Sequence, residues 1–257
     1  MRRLEGKVIL VAGGGGIGNG LARRYAQEGA HVVLGHNHLD AARKVAEEIQ
    51  SAGGSAIAAH LDGTDEGSIA DAVALAGKNF GGLDGLHANF AALSAARADS
   101  NVIEIPLDAL DVAMRVNLIG YFLCTRHALP PMLARGGGAI VYTSTVGAHS
   151  GEPVNVAYAM SKAAGHALMR HVAAKYGPEG VRANTIAPSM VKHEKWAGMP
   201  LERVAMMEGL GTRRSAIKSR IGRPEDVAAL GALLMSDEGS YITGQVLSVD
   251  GGTSMRP

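Results

Sequence analysis

The sequence predicts an α/β fold in which helices cover both faces of a doubly wound parallel β-sheet. Short apolar runs rich in β-branched residues alternate along the 257-residue chain with longer amphipathic stretches. Strands that are apolar throughout are typical of a parallel sheet that is buried on both faces. Right-handed crossovers then place ligands outside the carboxyl ends of the strands.

Seven segments have the composition of buried strands. They are Lys7–Ala12, Ala30–Leu34, Ser55–His60, Asp84–Ala88, Ala139–Thr143, Arg182–Ile186 and Gln245–Val249. Most stretches between them have helical periodicity, and two of these, LARRYAQEG and LDAARKVAEEIQSAGG, end in glycine, a common helix stop. We find no repeat or linker and therefore expect a single domain over residues 1–257. Residues 189–220, rich in Met, Lys, Arg and Gly, are predicted to form a lid.

The composition excludes several classes of protein. Hydrophobic residues make up 47% of the chain, charged residues 19%, and the formal net charge is +1. Nucleic acid is not an expected partner, because the basic residues are dispersed and aromatic residues amount to only 4%. No apolar run has the length of a secretory signal or a membrane span, so we expect a cytoplasmic protein without membrane contact. Cys124, the single cysteine, lies in an apolar helical pattern and is expected to be buried.

A glycine-rich turn joins the first predicted strand to the first helix in VILVAGGGGIGNGLARRYAQEG. Glycines allow a sharp turn and a close approach of the backbone to a pyrophosphate, while Gly18 allows close packing of the helix. The N-terminus of a helix that begins near Ile17 would supply free N–H groups and a positive dipole end. The stretch therefore predicts a Rossmann-type phosphate site formed by Gly13, Gly14, Gly16, Ile17 and Gly18.

A tyrosine and a lysine four residues apart, Tyr158 and Lys162, share one face of a predicted helix. A free tyrosine, with a pKa of about 10, must be shifted by roughly 3 units to act as a base at neutral pH. One cation about 4 Å away supplies roughly that much at an effective dielectric constant of 20. The spacing thus predicts a proton-transfer pair in which Lys162 lowers the pKa of Tyr158.

Together with two upstream hydroxyls, Ser144 and Thr145, these motifs resemble the short-chain dehydrogenase/reductase family over nearly the whole chain. The family fingerprint is T-G-x-x-x-G-[IL]-G, from which this sequence departs. Its AGGGGIG either lacks one residue, with Ala12 in the threonine position, or has Ala12 in the position of the first glycine. The resemblance implies an alcohol dehydrogenase or carbonyl reductase that interconverts a ketone or aldehyde and an alcohol. It also implies a homotetramer or homodimer.

The resemblance assigns further roles around the tyrosine. In the family, a serine at the end of the fifth strand holds the substrate oxygen, and ungapped matching puts Thr145, thirteen residues before Tyr158, in that position. Ser144 remains the alternative. Asn117, in MRVNLIGYFLCT, corresponds to an asparagine that would bind a water molecule between the lysine and bulk solvent.

The same comparison yields a set of expected cofactor contacts. Beyond the glycine turn, Tyr158 and Lys162, these are His36, Asn37, Asp62, Gly63, Asn89, Pro188 and Val191. A carboxylate after the second strand would favour NAD(H), but His36 stands there, so NADP(H) is favoured over NAD(H). Asp62 would contact adenine, unless this segment only caps the next helix through Thr64 or Asp65. His36 and His38 lack a third ligand nearby, so no metal is predicted.

The lid and its surroundings suggest the substrate. Met190, Trp196 and Met206, together with His149, are expected to contact it. Methionines beside the only tryptophan suit a pliable pocket for a bulky or apolar small molecule, although they could equally pack the lid or a subunit contact. Two other functions fit the sequence: a dinucleotide sensor without turnover, and an epimerase with no net redox reaction.

Overall fold

The computed structural model describes residues 2–92, 95–96 and 98–255 and contains one seven-stranded parallel sheet. The strands are β1 (Val8–Ala12), β2 (His31–His36), β3 (Ser55–His60), β4 (Gly85–Ala88), β5 (Gly138–Thr143), β6 (Val181–Pro188) and β7 (Val246–Val249). Their order in the sheet is β3-β2-β1-β4-β5-β6-β7. Every predicted strand segment overlaps an observed strand, and the predicted α/β class is confirmed.

Eight α-helices connect the strands in the described part of the chain. They are α1 (Gly16–Gln27), α2 (Leu39–Ser51), α3 (Glu66–Phe80), α4 (Leu107–Ala113), α5 (Gly120–Ala134), α6 (Val156–Tyr176), α7 (Leu201–Arg214) and α8 (Pro224–Met235). A π-helical segment, Met114–Ile119, joins α4 to α5. No helix among the described residues is long and apolar enough to cross a membrane.

The apolar strands bury side chains on both faces of the sheet. In β1, Val8 and Leu10 belong to the core that α3, α5 and α6 cover, whereas Ile9 and Val11 belong to the core under α1, α2 and α8. Cys124 is fully buried in the first of these cores, as expected from its apolar surroundings. Burial on both faces explains why the strands are apolar throughout rather than alternating.

The strand order reverses direction between β1 and β4, which lie side by side at the centre of the sheet. Connections on opposite sides of this point leave a crevice at the carboxyl ends of the strands. The predicted lid, residues 189–220, follows β6 at this end of the sheet. It contains a 3-10 turn, Glu194–Gly198, and α7. An isolated bridge between Val191 and Gly222 closes the base of the lid.

Helices α1 and α8 pack closely where a glycine faces a proline. A Cβ atom added to Gly20 would lie 2.4 Å from Cβ of Pro224, so a side chain cannot be accommodated without movement. We expect Gly20→Ala to lower the free energy of unfolding by about 1–3 kcal/mol, as overpacking does. Urea unfolding followed by circular dichroism measures this change.

Gly77, on the exposed face of α3, is the matched control. An added Cβ there would have no neighbour within 4 Å. Gly77→Ala should raise the free energy of unfolding by about 0.5–1 kcal/mol through helix propensity alone. Equal effects of the two substitutions would contradict the packing described for α1 and α8.

Candidate active site

The turn between β1 and α1 has a backbone that only glycine adopts readily. Gly13, Gly15 and Gly16 have φ angles of 110°, 84° and 45°. A Cβ on Gly13 would lie 2.7 Å from the Asn89 carbonyl oxygen, and one on Gly18 would lie 2.1 Å from the Gly13 carbonyl oxygen. The turn therefore excludes side chains and exposes its backbone at the N-terminus of α1.

Asn89 ties this turn to the end of β4. Its side-chain Nδ2 donates to the Gly13 carbonyl oxygen at 2.9 Å, and its backbone N–H donates to the Ala12 carbonyl oxygen at 2.8 Å. The structure thus brings Asn89 to the predicted cradle, where it supports the turn itself.

The lid lies over the same turn. The His193 ring is 3.3 Å from the point where a Cβ of Gly16 would stand, and its buried Nδ1 has no hydrogen-bond partner among the described residues. Glu194 accepts hydrogen bonds from Asn19 and Arg23 on α1. A cradle without side chains, a helix N-terminus and an unpartnered imidazole nitrogen fit the pyrophosphate of a nicotinamide dinucleotide.

Lys162 on α6 is almost fully buried, at 1% exposure. Its Nζ donates to the Phe90 carbonyl oxygen after β4, to the Thr143 carbonyl oxygen at 2.8 Å, and to the Tyr121 hydroxyl at 2.5 Å. Burial lowers the pKa of Lys162 to about 7, which leaves the amine divided between its charged and neutral forms at neutral pH. The structure places Nζ 5.5 Å from the centre of the Tyr158 ring.

Tyr158 lies one turn before Lys162 on the same helix, as the spacing predicts. Burial raises the pKa of Tyr158 to about 12 in the cofactor-free protein. The expectation from sequence, that the lysine lowers this pKa, was therefore wrong for this state. The lysine donates its hydrogen bonds to groups on other segments, and its own charge is reduced by burial. Tyr158 is accordingly a protonated phenol in the free protein.

Asp99 fixes the start of the helix that carries Tyr158. Its buried carboxylate accepts hydrogen bonds from the backbone N–H groups of Ala157 and Tyr158, at 2.9 and 2.8 Å. Asn155 lies just before the helix and has a left-handed backbone, with a φ angle of 62°. Sequence reasoning missed Asp99, because it is remote in the chain and no local pattern connects it with α6.

The two upstream hydroxyls have different surroundings. Ser144 is 2% exposed, and its Oγ lies 2.7 Å from Nε2 of His166 on α6. Thr145 is half-buried, and its Oγ1 accepts a 3.3 Å hydrogen bond from the Gly147 N–H. Within the described ranges, the Thr145 hydroxyl proton has no acceptor. Thr145 can therefore donate to a ligand, whereas Ser144 already has a protein partner.

Asn117 lies in the π-helical segment and is fully buried. Its Oδ1 accepts from the Ala92 N–H at 2.9 Å, and its Nδ2 donates to the Ser161 hydroxyl at 3.0 Å. Its side chain therefore joins α6 to the segment after β4. Each polar atom of the side chain has one protein partner, and the water-binding role expected from the resemblance stays a prediction.

Helical spacing could have revealed two residues that sequence reasoning missed. Tyr121 follows Asn117 by four positions and binds Lys162, while His166 follows Lys162 by four positions and binds Ser144. Residues four apart lie on one helix face, so the pattern that revealed Tyr158 and Lys162 extends to both.

The other predicted cofactor residues lie at the ends of their strands. His36 ends β2, next to Asn37, and its Cδ2 lies 2.9 Å from the Cβ position of Gly14. Asp62 precedes Gly63 after β3 and accepts from the backbone N–H and the hydroxyl of Thr64, bonds that lower its pKa. The cap of α3 is Asp65, through the Gly67 N–H. At the lid, Pro188 ends β6 and Val191 is buried.

The predicted substrate residues differ in their exposure to solvent. Trp196 is buried and Met190 is half-buried, but Met206 is 64% exposed on α7. His149 Nε2 lies 3.1 Å from the Ser254 hydroxyl, in the segment after β7. Met206 thus faces solvent on α7, and its expected contact with the substrate stays a prediction.

Comparisons of the sequence and of the structure with known proteins agree on one family. The sequence model of a family described as enoyl-(acyl carrier protein) reductase matches residues 11–254. A probable short-chain type dehydrogenase/reductase of Bradyrhizobium diazoefficiens is 40% identical over 98% of this chain and 89% of its own. A cis-4-hydroxycyclohexanecarboxylate dehydrogenase of Sinomonas cyclohexanicum is 36% identical over 96% of both chains.

A solved structure with the same fold is a 7α-hydroxysteroid dehydrogenase complexed with NADH and 7-oxo glycochenodeoxycholic acid. It has a TM-score of 0.87 and 30% identity, with coverage of 97% of this chain and 95% of that one. Fold, site and comparisons define an oxidoreductase with a Rossmann-type nucleotide fold. The chain belongs to the short-chain dehydrogenase/reductase family.

The lowered pKa of Lys162 predicts how stability depends on pH in the cofactor-free protein. Between pH 7 and 9.5 the unfolded chain keeps the lysine proton, whereas the folded protein has lost most of it. Because the unfolded state binds more protons than the folded state over this range, raising the pH disfavours unfolding, and the free energy of unfolding rises by about 1 kcal/mol per pH unit.

Lys162→Met removes this titration. Urea unfolding of both proteins across that range should give a wild-type curve that rises relative to that of the variant. Parallel curves would contradict a buried lysine of lowered pKa.

Proposed function

We propose that the protein interconverts a ketone and a secondary alcohol by hydride exchange with a nicotinamide dinucleotide. The observation that carries this proposal is the position of Lys162, whose Nζ binds the Thr143 carbonyl oxygen at the carboxyl end of β5 and lies 5.5 Å from the centre of the Tyr158 ring. Thr145 follows the same strand, and its hydroxyl proton has no acceptor among the described residues. When bound, the cofactor supplies or accepts the hydride. The protein supplies orientation, hydrogen bonds and the proton.

Tyr158 is the proposed acid and base. Because burial keeps its phenol protonated, it can donate a proton to the oxygen of a carbonyl substrate without a prior shift of its pKa. In the oxidative direction it must lose that proton first, which requires positive charge from Lys162 and from the bound oxidised cofactor. Thr145 donates a second hydrogen bond to the same oxygen and orients it.

We propose NADP(H) as the preferred cofactor over NAD(H). The end of β2 presents His36 and the exposed Asn37, and neither carries the negative charge that would repel a 2′-phosphate. Asn89 supports the cradle, while Asp62 and Gly63 at the end of β3 are proposed to face the adenine. Pro188 and Val191 are proposed to approach the nicotinamide, since they lie where β6 enters the lid.

The proposed substrate is a bulky, weakly polar secondary alcohol or its ketone, with a cyclic carbon skeleton. This class is supported by the names of two similar proteins, one a cyclohexanecarboxylate dehydrogenase and the other a steroid dehydrogenase. Met190, Trp196 and His149 are the proposed contacts, and Met206 reaches the substrate only if α7 moves.

We also propose that the protein is cytoplasmic and forms a homotetramer or homodimer. Strand β7 lies at the edge of the sheet, and its apolar residues Val246, Leu247 and Val249 are only half-buried in the single chain. An apolar edge strand is a common site of association.

Initial rates at the reduced-nicotinamide absorbance band, with both cofactors and cyclic ketones of graded size, test the proposed reaction. Thr145→Val should reduce turnover by about 100-fold or more, as loss of an oriented donor does. Ser144→Ala should reduce it by less than about tenfold, while destabilising the fold by about 0.5–1.5 kcal/mol through loss of the hydrogen bond between Ser144 and His166. Full activity of both variants, or a larger loss in Ser144→Ala, would contradict the assignment of Thr145.

A further inference from the structure

A lysine of the lid reaches the end of β2. Lys195 lies in the 3-10 turn Glu194–Gly198, and its Nζ is 3.2 Å from the point where a Cβ of Gly15 would stand. Nε2 of His36 is 3.6 Å from the same point. Two nitrogen atoms from segments remote in sequence therefore converge on one position outside the glycine turn.

The tautomer of His36 makes this position a donor site. Nδ1 of His36 accepts the backbone N–H of His38 at 2.8 Å, so Nδ1 carries no proton in the neutral ring. The proton of the neutral imidazole then resides on Nε2, the atom that faces Gly15. Burial and the nearby Lys195 charge lower the pKa of His36, which keeps the ring neutral but still able to donate.

Lys195 has no acceptor of its own. Within the part of the chain that the structure describes, no carboxylate or carbonyl accepts a hydrogen bond from its ammonium group. The adjacent Glu194 carboxylate is directed elsewhere, to Asn19 and Arg23 on α1. Burial, together with the Lys195 charge, lowers the pKa of a second imidazole, that of His193. The exposed ammonium group of Lys195 thus lies beside Nε2 of His36 without a carboxylate partner among the described residues, an arrangement that suits a phosphate.

We propose that Lys195 and His36 together bind the 2′-phosphate of NADP(H). Residues at the end of β2 lie beside the adenosine ribose in this fold, and His36 occupies that place here. His36 donates one hydrogen bond, and Lys195 supplies the positive charge that β2 itself lacks. A lid residue would then determine cofactor choice. The inference rests on the proposed function only for the identity of the cofactor, since it concerns binding and not turnover.

Titration calorimetry with NADP⁺ and with NAD⁺, in the absence of substrate, tests this proposal. The two ligands differ only in the 2′-phosphate. Lys195→Gln should weaken NADP⁺ binding by about tenfold to a hundredfold, the range expected for a charge-assisted contact, and change NAD⁺ binding by less than about twofold. Lys195→Arg keeps the charge and should retain most of the NADP⁺ affinity.

Lys192→Gln is the matched control. Lys192 is an exposed lysine of the same segment, and its Nζ pairs with Glu208 on α7 at 2.7 Å. This variant should bind both ligands like the wild type. The converse variant His36→Asp places a carboxylate beside the ribose and should reverse the preference toward NAD⁺.

Three results would overturn the inference. Lys195→Gln could weaken the binding of NADP⁺ and NAD⁺ equally, which would assign the lysine to the pyrophosphate, or it could weaken the binding of neither. The third is a wild-type protein that binds NAD⁺ more tightly than NADP⁺. A Lys195-dependent preference for NADP⁺ without turnover of any carbonyl would support the inference while the proposed function fails. If the protein turns over a carbonyl with either cofactor and Lys195→Gln has no effect on binding, the proposed function stands and the inference fails.

Discussion

The burial of one amine, that of Lys162, is the constraint on which the site depends. A lysine in the interior is costly unless its donors are satisfied, and here two backbone carbonyls and one hydroxyl accept from it. Phe90 and Thr143 follow or end neighbouring central strands, while Tyr121 belongs to α5. The amine thereby joins two strand ends and two helices, and it fixes the face of α6 on which Tyr158 stands.

Further buried hydrogen bonds link the side chain of Thr143 to helix α1. The Thr143 hydroxyl lies 2.9 Å from Nε2 of His87, and Nδ1 of His87 lies 2.6 Å from the hydroxyl of Tyr25 on α1. Burial and the Lys162 charge lower the pKa of His87 to about 3, so this ring is neutral. The helix that follows the glycine turn is therefore linked to the strand end that holds Lys162. A buried network of this kind is stable because each polar group has a partner.

Local patterns in the sequence were enough for the fold and for part of the site. The strands are buried on both faces and the glycine turn lies between a strand and a helix, so both can be identified from neighbouring residues alone. The pair Tyr158 and Lys162 follows from helical spacing. Asp99 and the Phe90 carbonyl could not be predicted, because their contacts with α6 arise only when distant segments meet.

Electrostatic expectations were less successful than geometric ones. Spacing places a cation near a phenol, but it does not show that burial raises the pKa of Tyr158 and reduces the charge on Lys162. Likewise, the two residues directly after β2, Asn37 and His38, are neither acidic nor arginine, and the lysine that approaches His36 comes from the lid far along the chain. At the proposed 2′-phosphate site, cofactor preference would therefore depend on tertiary contacts as well as on the residues that end β2.

Transfer of isotope is the most direct measurement of the central claim, that this site moves a hydride between a carbinol carbon and a nicotinamide. A cyclic secondary alcohol deuterated at the carbinol carbon is incubated with the protein and oxidised cofactor, and the nicotinamide is analysed by mass spectrometry and proton NMR. The account predicts deuterium on one face of the nicotinamide C4 and loss of this transfer in Tyr158→Phe. Cofactor that binds but acquires no deuterium from any alcohol of a graded cyclic series would contradict it.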